Sequence, residues 1–540
     1  MRSSSAFLES ERNVHAVLAE LTHWLAGAAI HCALGLALGV LAARRMRDCH
    51  LHWSWATAAF IALLAVEPGL GGWWFTLALA ALFASVRSRR WHREDIDSGA
   101  DLAGIAAARR TPLQFARTLM LAAVLRVREA VDRPRWVRDQ RLVLGWDQRN
   151  RKVSIPFDAS HGGRHTLVVG ATGSGKTVTQ SWIAARAIER GMAAVVVDPK
   201  GDRDMHEQVR RAALAAGSSF IAWTPEGSHI YNPYGRGSET EIADKLLAGE
   251  RFTEPHYLRQ AQRYLGHVVR ALRRAEVGVS LSTIVEHLVP ARLESLTRLV
   301  PGEQANATFA YLDSLSSRQQ SDLAGVRDRL AILAESEVGK WLDPDTPGAE
   351  QFDLLAAVRN RAVVYFSLKS DSRPLLSQML GSAIVQDLQT TAAACQQRPI
   401  PALVVIDEFS AIAAEHVVRL FGRARSAGFS LLLGTQELSD LRLPGQERLL
   451  EQILGNLAVL IAHRQVVPSS AELISNVAGT VGTWKVSRHS DGKTTRTRTH
   501  KPVLEPGQVM SLERGWGAVL ELEHAGNTRI AQMFSPALRG

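Results

Sequence analysis

The chain has 540 residues, 46% of them hydrophobic, and a formal net charge of +10. This length predicts about two to four domains, and the positive charge makes a nucleic acid or an anionic membrane a candidate partner. Three cysteines, Cys32, Cys49 and Cys395, lie too far apart for a zinc site or a disulfide framework. The composition therefore excludes a small disulfide-stabilised domain.

The first hundred residues hold the long apolar runs. Trp24–Ala43 carries no formal charge and is long enough to cross a bilayer as a helix. A second apolar region, Trp53–Val86, is broken at residues 67–72 by a turn that contains proline and glycine. Arginines flank this region on both sides, and the positive-inside rule places both flanks in the cytoplasm. Residues 1–93 therefore predict a membrane anchor, followed by a cytoplasmic chain.

The number of spans, two or three, stays open at this stage. Three spans place the N-terminus outside the cytoplasm, whereas two spans place it inside and leave the arginines of residues 44–47 on the outer face. Residues 94–140 are polar and arginine-rich, which predicts a helical connector. The next segments, Arg141–Trp146 and Lys152–Phe157, predict a β-ribbon.

Residues 170–177 form a complete nucleotide-binding P-loop between a predicted buried strand and a predicted helix. Its glycines let backbone N–H groups point at phosphate oxygens, and the helix N-terminus adds a partial positive charge. Lys176 is expected to reach the β- and γ-phosphates of ATP or GTP, and Thr177 to bind Mg²⁺. The predicted nucleotide-binding residues of the loop are Gly170, Ala171, Thr172, Gly173, Ser174, Gly175, Lys176 and Thr177.

Short apolar runs separated by helical segments predict an α/β fold, a mainly parallel sheet with helices on both faces. The run Leu403–Ile406 ends in Asp407 and Glu408, the form of a Walker B site. Asp407 is predicted to hold Mg²⁺ through water, and Glu408 to polarise the attacking water as a general base. Gln436, at the end of the next apolar run, is predicted to sense the γ-phosphate, and the alternative is a solvated strand end.

Arg423 and Arg425 lie between Glu408 and Gln436. An arginine supplied by a neighbouring subunit neutralises charge in the transition state of phosphoryl transfer. The alternative is a surface helix with ordinary arginines.

Several motifs occur together in this chain. They are Arg164–Val169 before the P-loop, the Asp-Pro-Lys-Gly-Asp sequence of residues 198–202, Asn232-Pro233, and the segments 405–409 and 434–437. With the membrane segment, this combination resembles type IV coupling proteins of the TraD/TraG-like family. These are inner-membrane ATPases of conjugation and type IV secretion, related to the FtsK/HerA DNA pumps. The resemblance covers most of residues 140–540.

The resemblance implies a RecA-like P-loop ATPase domain, residues 141–240 and 355–540, interrupted by an inserted all-α domain at residues 241–354. It implies a homohexameric ring around a DNA channel in the bacterial inner membrane, which links a relaxase–DNA complex to the transfer channel. It assigns Arg425 as the arginine finger acting in trans and Arg164 as a second nucleotide-site arginine. The implied catalytic residues are Lys176, Glu408, Gln436 and Arg425, and the implied Mg²⁺ ligands are Thr177 and Asp407.

Two basic features predict contact with single-stranded DNA in a sequence-tolerant manner. One is a group of helical arginines, Arg259, Arg263, Arg270, Arg273 and Arg274. The other is an alternating basic segment, Lys485–Lys501, with a hairpin turn at Asp491-Gly492. A solvated helix face and a surface ribbon are the respective alternatives.

The pattern as a whole predicts an ATP-driven DNA translocase that acts as a conjugative coupling protein. One alternative is a receptor ATPase that recruits protein substrates to a secretion channel. Another is a chromosomal DNA pump of the FtsK/HerA type, which is disfavoured because residues 505–540 are too short for a winged-helix DNA reader. A structural protein with an inactive site is disfavoured because Lys176, Asp407 and Glu408 are all present.

Overall fold

A computed structural model describes residues 3–48, 51–65, 72–97, 112, 140–148, 151–249, 254–299, 302–412, 414–442, 448–488, 494–523 and 528–534. The predicted helical connector, residues 94–140, falls almost entirely outside these ranges. The chain divides into two compact units, Met1–Arg135 with Thr480–Lys501, and Trp136–Gly479 with Pro502–Gly540.

The first unit begins with three helices, α1 (Ser3–Asp48), α2 (Ser54–Ala65) and α3 (Gly72–Asp97). Within α1, Val17–Met46 has a mean hydropathy of 2.0 over its most apolar window and is long enough to cross a bilayer. Among the described helices this is the one such segment, because α2 has only 12 residues and α3, although 26 residues long, is not apolar enough over the length of a span. The membrane segment predicted from the sequence is therefore supported by one helix, and the described residues lend no support to a second or third span.

Helix α3 packs against α1 at two glycines of α1. A Cβ atom on Gly35 would lie 3.0 Å from the carbonyl oxygen of Thr76, and one on Gly39 would lie 2.9 Å from that of Ala80. His31 Nδ1 and Thr76 Oγ1 share a hydrogen bond of 2.8 Å. Close backbone approach at small residues, supported by a polar contact, is how helices associate in apolar surroundings.

The second unit is built on one large sheet. The described strands of both units are numbered together, and the two that begin within Thr480–Lys501 belong to the first unit. In chain order the strands are β1 (Arg141–Asp147), β2 (Lys152–Pro156), β3 (Thr166–Val169), β4 (Ala193–Asp198), β5 (Phe220–Trp223), β6 (His229–Tyr231), β7 (Glu350–Phe352), β8 (Val363–Ser367), β9 (Ala402–Ile406), β10 (Phe429–Thr435), β11 (Val459–Ala462), β12 (Thr480–Arg488), β13 (Thr494–Pro502), β14 (Trp516–Glu521) and β15 (Thr528–Met533). Eleven of these described strands form the sheet in the order β2-β1-β15-β14-β11-β3-β10-β9-β4-β8-β5.

Each strand from β11 to β5 pairs in parallel with its neighbour, and the four strands beyond β11 pair antiparallel. The predicted α/β fold with a mainly parallel sheet is therefore confirmed. The predicted β-ribbon is present as β1 and β2, while β14 and β15 were not predicted. Strands β12 and β13 form a separate two-stranded sheet, as predicted for the basic segment, and its turn at residues 491–492 lies outside the described ranges.

The remaining helices are α4 (Lys176–Glu189), α5 (Arg203–Ala215), α6 (Glu239–Leu247), α7 (Pro255–Arg274), α8 (Leu281–His287), α9 (Pro290–Thr297), α10 (Glu303–Asp313), α11 (Ser317–Ala334), α12 (Leu354–Arg359), α13 (Pro374–Cys395), α14 (Phe409–Ile412), α15 (Ala414–Ala427), α16 (Leu449–Asn456), α17 (Pro468–Ala478) and α18 (Pro506–Met510). Short 3₁₀ turns follow α11 and β10.

Helices cover both faces of the sheet, and alternate residues of the central strands point to opposite faces. In β4, Val195 and Val197 pack on the side of α13 and α15, whereas Ala194 and Val196 pack on the side of α4 and α5. All six residues of this strand are buried. Burial on both faces explains why the central strands read as unbroken apolar runs.

The described chain between β6 and β7 contains helices α6 to α11 and no strand. Strands β6 and β7 pair in parallel, with His229 opposite Glu350 and Tyr231 opposite Phe352, and so bring the two ends of this helical insertion together. Apolar residues of α7, including Tyr264 and Leu265, join the same core as the sheet. The exact domain boundaries, such as residues 241–354 for the insertion, stay a prediction.

A buried ion pair joins the start of the insertion to α13. Lys245 Nζ donates to Asp387 Oδ1 at 2.7 Å and to the backbone carbonyls of Pro233 and Arg236 at 2.9 and 2.7 Å. Tyr231 Oη donates to the other carboxylate oxygen of Asp387 at 2.8 Å. Burial lowers the pKa of Lys245, and the negative charge of Asp387 opposes that shift.

Replacing Asp387 with alanine leaves the Lys245 ammonium buried without its counter-charge. We expect the variant Asp387→Ala to lose about 3–5 kcal/mol of stability. The double variant Lys245→Met/Asp387→Leu should lose clearly less, because it leaves no unpaired charge. Chemical denaturation of the detergent-solubilised full chain measures both, and equal losses would contradict this role for the pair.

Candidate nucleotide-binding site

Five neighbouring parallel strands, β11, β3, β10, β9 and β4, end at the same edge of the sheet. Ligands of open α/β sheets bind outside this carboxyl edge. The polar groups at this edge are the P-loop after β3, Asp198 at the end of β4, Asp407 and Glu408 after β9, Gln436 after β10 and His463 after β11.

The P-loop has the backbone geometry that a phosphate-binding loop needs. Gly173 and Gly175 have φ angles of 76° and 111°, a left-handed region that favours glycine. Helix α4 begins at Lys176, and no side chain caps its N-terminus. The first N–H groups of this helix are therefore directed at the site where phosphate would bind.

Two loops hold the P-loop in place. Ala171 N donates to Arg464 O after β11, and Gly515 N donates to Ser174 O, both at 3.0 Å. Behind the loop, His463 bridges Thr179 Oγ1 and Trp516 O, both at 2.9 Å. Burial lowers the pKa of His463 to about 4. The imidazole is therefore neutral near pH 7, with Nδ1 donating to the carbonyl and Nε2 accepting from the threonine.

Three side chains donate to one carboxylate oxygen, that of Glu408. Lys176 Nζ and Lys200 Nζ donate to Glu408 Oε1 at 2.6 and 2.7 Å, and Gln436 Nε2 donates to the same oxygen at 3.2 Å. Lys176 Nζ also lies 3.2 Å from Asp407 Oδ1. Burial alone would raise the pKa of Glu408, but the two lysines hold it below its usual value. The structure thus brings together Lys176, Asp407, Glu408 and Gln436, whose roles in catalysis and metal binding stay predictions.

Glu408 also adopts an unusual backbone conformation. Its φ angle is +43°, which is rare for a residue with a side chain. Such a conformation costs about 1–3 kcal/mol and persists where the surrounding structure imposes it. Here it turns the chain directly after β9 so that Asp407 and Glu408 both face the P-loop lysine.

Lys200 belongs to the Asp-Pro-Lys-Gly-Asp motif of residues 198–202, and its contact with Glu408 was not predicted from the sequence. Asp198 shapes its loop: Oδ1 accepts the N–H groups of Lys200 and Gly201 at 3.0 and 2.9 Å. Oδ2 accepts Asp202 N at 2.6 Å and Tyr365 Oη at 2.5 Å. The sequence signal was an Asp-Pro-Lys-Gly-Asp turn at the carboxyl end of a buried strand.

The P-loop, Lys200, Glu408 and Gln436 line a cavity of about 350 Å³. Arg514 and Gln208 line it as well, and neither was singled out from the sequence. Arg514 directly precedes Gly515, the residue bound to the P-loop.

Arg164 and Arg425 lie outside this cavity. Arg164 precedes β3, so it lies at the end of that strand away from the P-loop, where it forms an ion pair with Glu523. A Cβ atom on Gly163 would lie 3.2 Å from Arg425 Cγ, which places Arg425 near the same end. Burial and the charge of Arg425 lower the pKa of His165 to about 4. Neither arginine lines the cavity of its own chain, and their assigned roles stay predictions.

The residues present fit a magnesium ion. Thr177 is the second residue of α4, and Asp407 Oδ1 is buried with no hydrogen bond from any described residue. Mg²⁺ in nucleotide sites is bound by one or two protein oxygens together with phosphate oxygens and water. A threonine hydroxyl and a carboxylate at the mouth of a P-loop are such a donor set.

A family model for the DNA-binding domain of type IV secretion-system coupling proteins matches residues 150–530. The chain belongs to this family. The match covers more than half of the 540 residues and confirms the family that the sequence motifs indicated.

Solved structures of the coupling protein TrwB share this fold. Its ΔN70 form with sulphate is 20% identical with a TM-score of 0.55, over 74% of this chain and 93% of that one. TrwB with ADP and Mg²⁺ is 18% identical with a TM-score of 0.54, over 74% and 95% of the two chains. At these identities the likeness shows the fold alone. A comparison with curated protein sequences found no match.

We expect Lys200→Met in this coupling protein to lower kcat for nucleotide hydrolysis about 10- to 100-fold with a small change in KM. Without Lys200, Glu408 keeps no positively charged partner once Lys176 binds phosphate, and its hydrogen bond from Gln436 alone holds it. Lys200→Arg should retain more activity because it keeps the charge. Steady-state kinetics of the solubilised full chain decide this, and an unchanged kcat in Lys200→Met would contradict it.

Proposed function

We propose that this coupling protein is a membrane-anchored, ATP-driven DNA translocase. It would link a relaxase–DNA complex to the channel of a type IV secretion system, as coupling proteins of conjugation do. One observation carries the proposal: in a chain of this family, a P-loop lysine contacts both Walker B carboxylates, and this lysine, Glu408 and the strand-end glutamine line one cavity.

The chain's residues have distinct roles in hydrolysis. Bound Mg²⁺, held by Thr177 and Asp407, would offset phosphate charge and orient the γ-phosphate. Lys176 exchanges its contact with Glu408 for the β- and γ-phosphates. Glu408, still bound to Lys200, polarises the attacking water, and Gln436 reports on the γ-phosphate through its bond to Glu408.

The position of Arg164 and Arg425 at the amino ends of the strands favours a ring of subunits. In a head-to-tail ring, each subunit presents one face to the opposite face of its neighbour. Arg164 and Arg425 lie away from their own P-loop, which supports the proposal that they act on a neighbouring subunit's nucleotide. A homohexamer with Arg425 as the arginine finger acting in trans is the assembly that we propose.

The basic residues of α7 are only partly available to DNA. Arg263 stacks on Tyr311 at 4.3 Å, Arg270 pairs with Glu239 at 2.6 Å, and Arg273 donates to a backbone carbonyl at 2.6 Å. Arg259 and Arg274 are exposed and bind no described residue. We propose that these two arginines and the basic β12–β13 hairpin contact the phosphates of single-stranded DNA, which makes binding sequence-tolerant and salt-sensitive.

Helix α1 anchors the protein in the bacterial inner membrane, with the ATPase domain in the cytoplasm. Two or three spans stay a prediction, since one helix among the described residues is long and apolar enough to cross a bilayer. A cysteine-accessibility map of the full chain in membranes tests this arrangement.

We expect single-stranded DNA to stimulate ATP hydrolysis by the solubilised full chain. Glu408→Gln should lower kcat about 10²- to 10⁴-fold while nucleotide still binds, because only the general base is lost. Lys176→Ala should weaken nucleotide binding itself. If Glu408→Gln does not change the hydrolysis rate, the proposed mechanism is wrong. If the wild-type protein hydrolyses ATP at the same high rate with and without DNA, a receptor for protein substrates is favoured.

Arg425→Ala should lower kcat about 10³-fold or more if it acts on the neighbour's site. Mixing Arg425→Ala subunits with Glu408→Gln subunits should then restore part of the activity. The restored sites combine Glu408 of one variant with Arg425 of the other. No recovery in freshly reassembled mixtures would count against action in trans.

A further inference from the structure

Gln180 lies one helical turn after Lys176 on α4. Its side chain is fully buried, and neither amide atom has a hydrogen-bond partner among the described residues. Buried side-chain amides are almost always hydrogen-bonded, so an amide without a partner beside an active site points to a role there.

The amide and the Walker B carboxylate approach each other at Gly434. A Cβ atom built on Gly434 would lie 2.4 Å from Gln180 Nε2 and 2.3 Å from Asp407 Oδ1. Asp407 Oδ1 is itself buried and accepts no hydrogen bond within the described part of the chain. A glycine in β10 therefore leaves room in which a donor and an acceptor, both lacking a hydrogen bond, converge.

We propose that Gln180 is a positioning residue for Asp407 and thereby for the magnesium ion. Lys176 Nζ, 3.2 Å from Asp407 Oδ1, balances this carboxylate in the present structure. When Lys176 moves to the phosphates, the amide of Gln180 donates to Oδ1 and directs the carboxylate at the metal. The inference rests on the proposed function of the site, and it adds a residue to which the nucleotide-binding motifs assign no role.

Hydrogen-bond partners behind a metal ligand typically change metal affinity about 10- to 100-fold when they are removed. Gln180→Met keeps the volume of the side chain and removes the donor. It should not reduce thermal stability, because it also removes an unpaired buried amide. If the variant loses Mg²⁺ affinity but keeps its thermal stability, Gln180 positions the metal ligand and does not serve only to stabilise the fold.

The experiment measures equilibrium binding of a fluorescent ADP analogue to the solubilised full chain as Mg²⁺ is titrated. In Gln180→Met we expect the Mg²⁺ concentration for half-maximal enhancement of binding to rise about tenfold or more. Binding of the analogue in excess EDTA should match wild type. Gln180→Leu repeats the test with a side chain of different shape.

Thr297→Val is the matched control. It removes a buried hydroxyl that donates to Leu293 O in the helical insertion and should leave the Mg²⁺ titration unchanged. A Gln180→Met or Gln180→Leu protein that folds and titrates like wild type overturns the proposal. If Mg²⁺ does not change the affinity of the wild-type protein for the ADP analogue, the proposed function of the site is overturned instead.

Discussion

The site depends on one buried carboxylate, Glu408, that is shared by two lysines. Burying a charge is costly unless opposite charge and hydrogen bonds compensate it. Lys176, Lys200 and Glu408 follow three different strands, so their contacts exist only because β3, β4 and β9 end at one edge of a parallel sheet. The left-handed backbone of Glu408 turns its carboxylate toward the lysines, and the turn around Asp198 places Lys200 beside that carboxylate.

A comparison with the second buried lysine shows why this cluster suits a working site. Lys245 has three oxygen partners within 2.9 Å and is fixed between the insertion and α13. Lys176 is also buried, but it borders a cavity lined by phosphate-binding backbone. An incoming polyphosphate offers Lys176 a stronger partner, and Lys200 keeps Glu408 paired when Lys176 leaves. Binding can therefore rearrange the charges without exposing an unpaired one.

Much of the fold and of the candidate site was predictable, because it depends on residues that are close together in the sequence. Strands buried on both faces give unbroken apolar runs, so the run Leu403–Ile406 located β9 (Ala402–Ile406) to within one residue. The P-loop and the Asp407-Glu408 pair carry their chemistry in consecutive residues. The antiparallel strands β14 and β15 were missed, because only their pairing with β11 and β1 identifies them as part of the sheet.

The features that could not be predicted from the sequence all depend on contacts between segments that are distant in the chain. Lys200 acts through a carboxylate 208 residues away, and Gln180 faces Asp407 only through the space that Gly434 leaves. The position of Arg164 and Arg425 at the amino ends of the strands likewise follows from the register of the sheet. The family resemblance implied roles for these arginines, and the sequence did not show which edge of the sheet they occupy.

The most direct test of this account is a structure of the full chain with Mg²⁺ and a non-hydrolysable ATP analogue. The account predicts that Lys176 Nζ contacts the β- and γ-phosphates and has left Glu408, while Lys200 still binds Glu408. A nucleotide bound in the cavity with Lys176 still paired to Glu408 would contradict it.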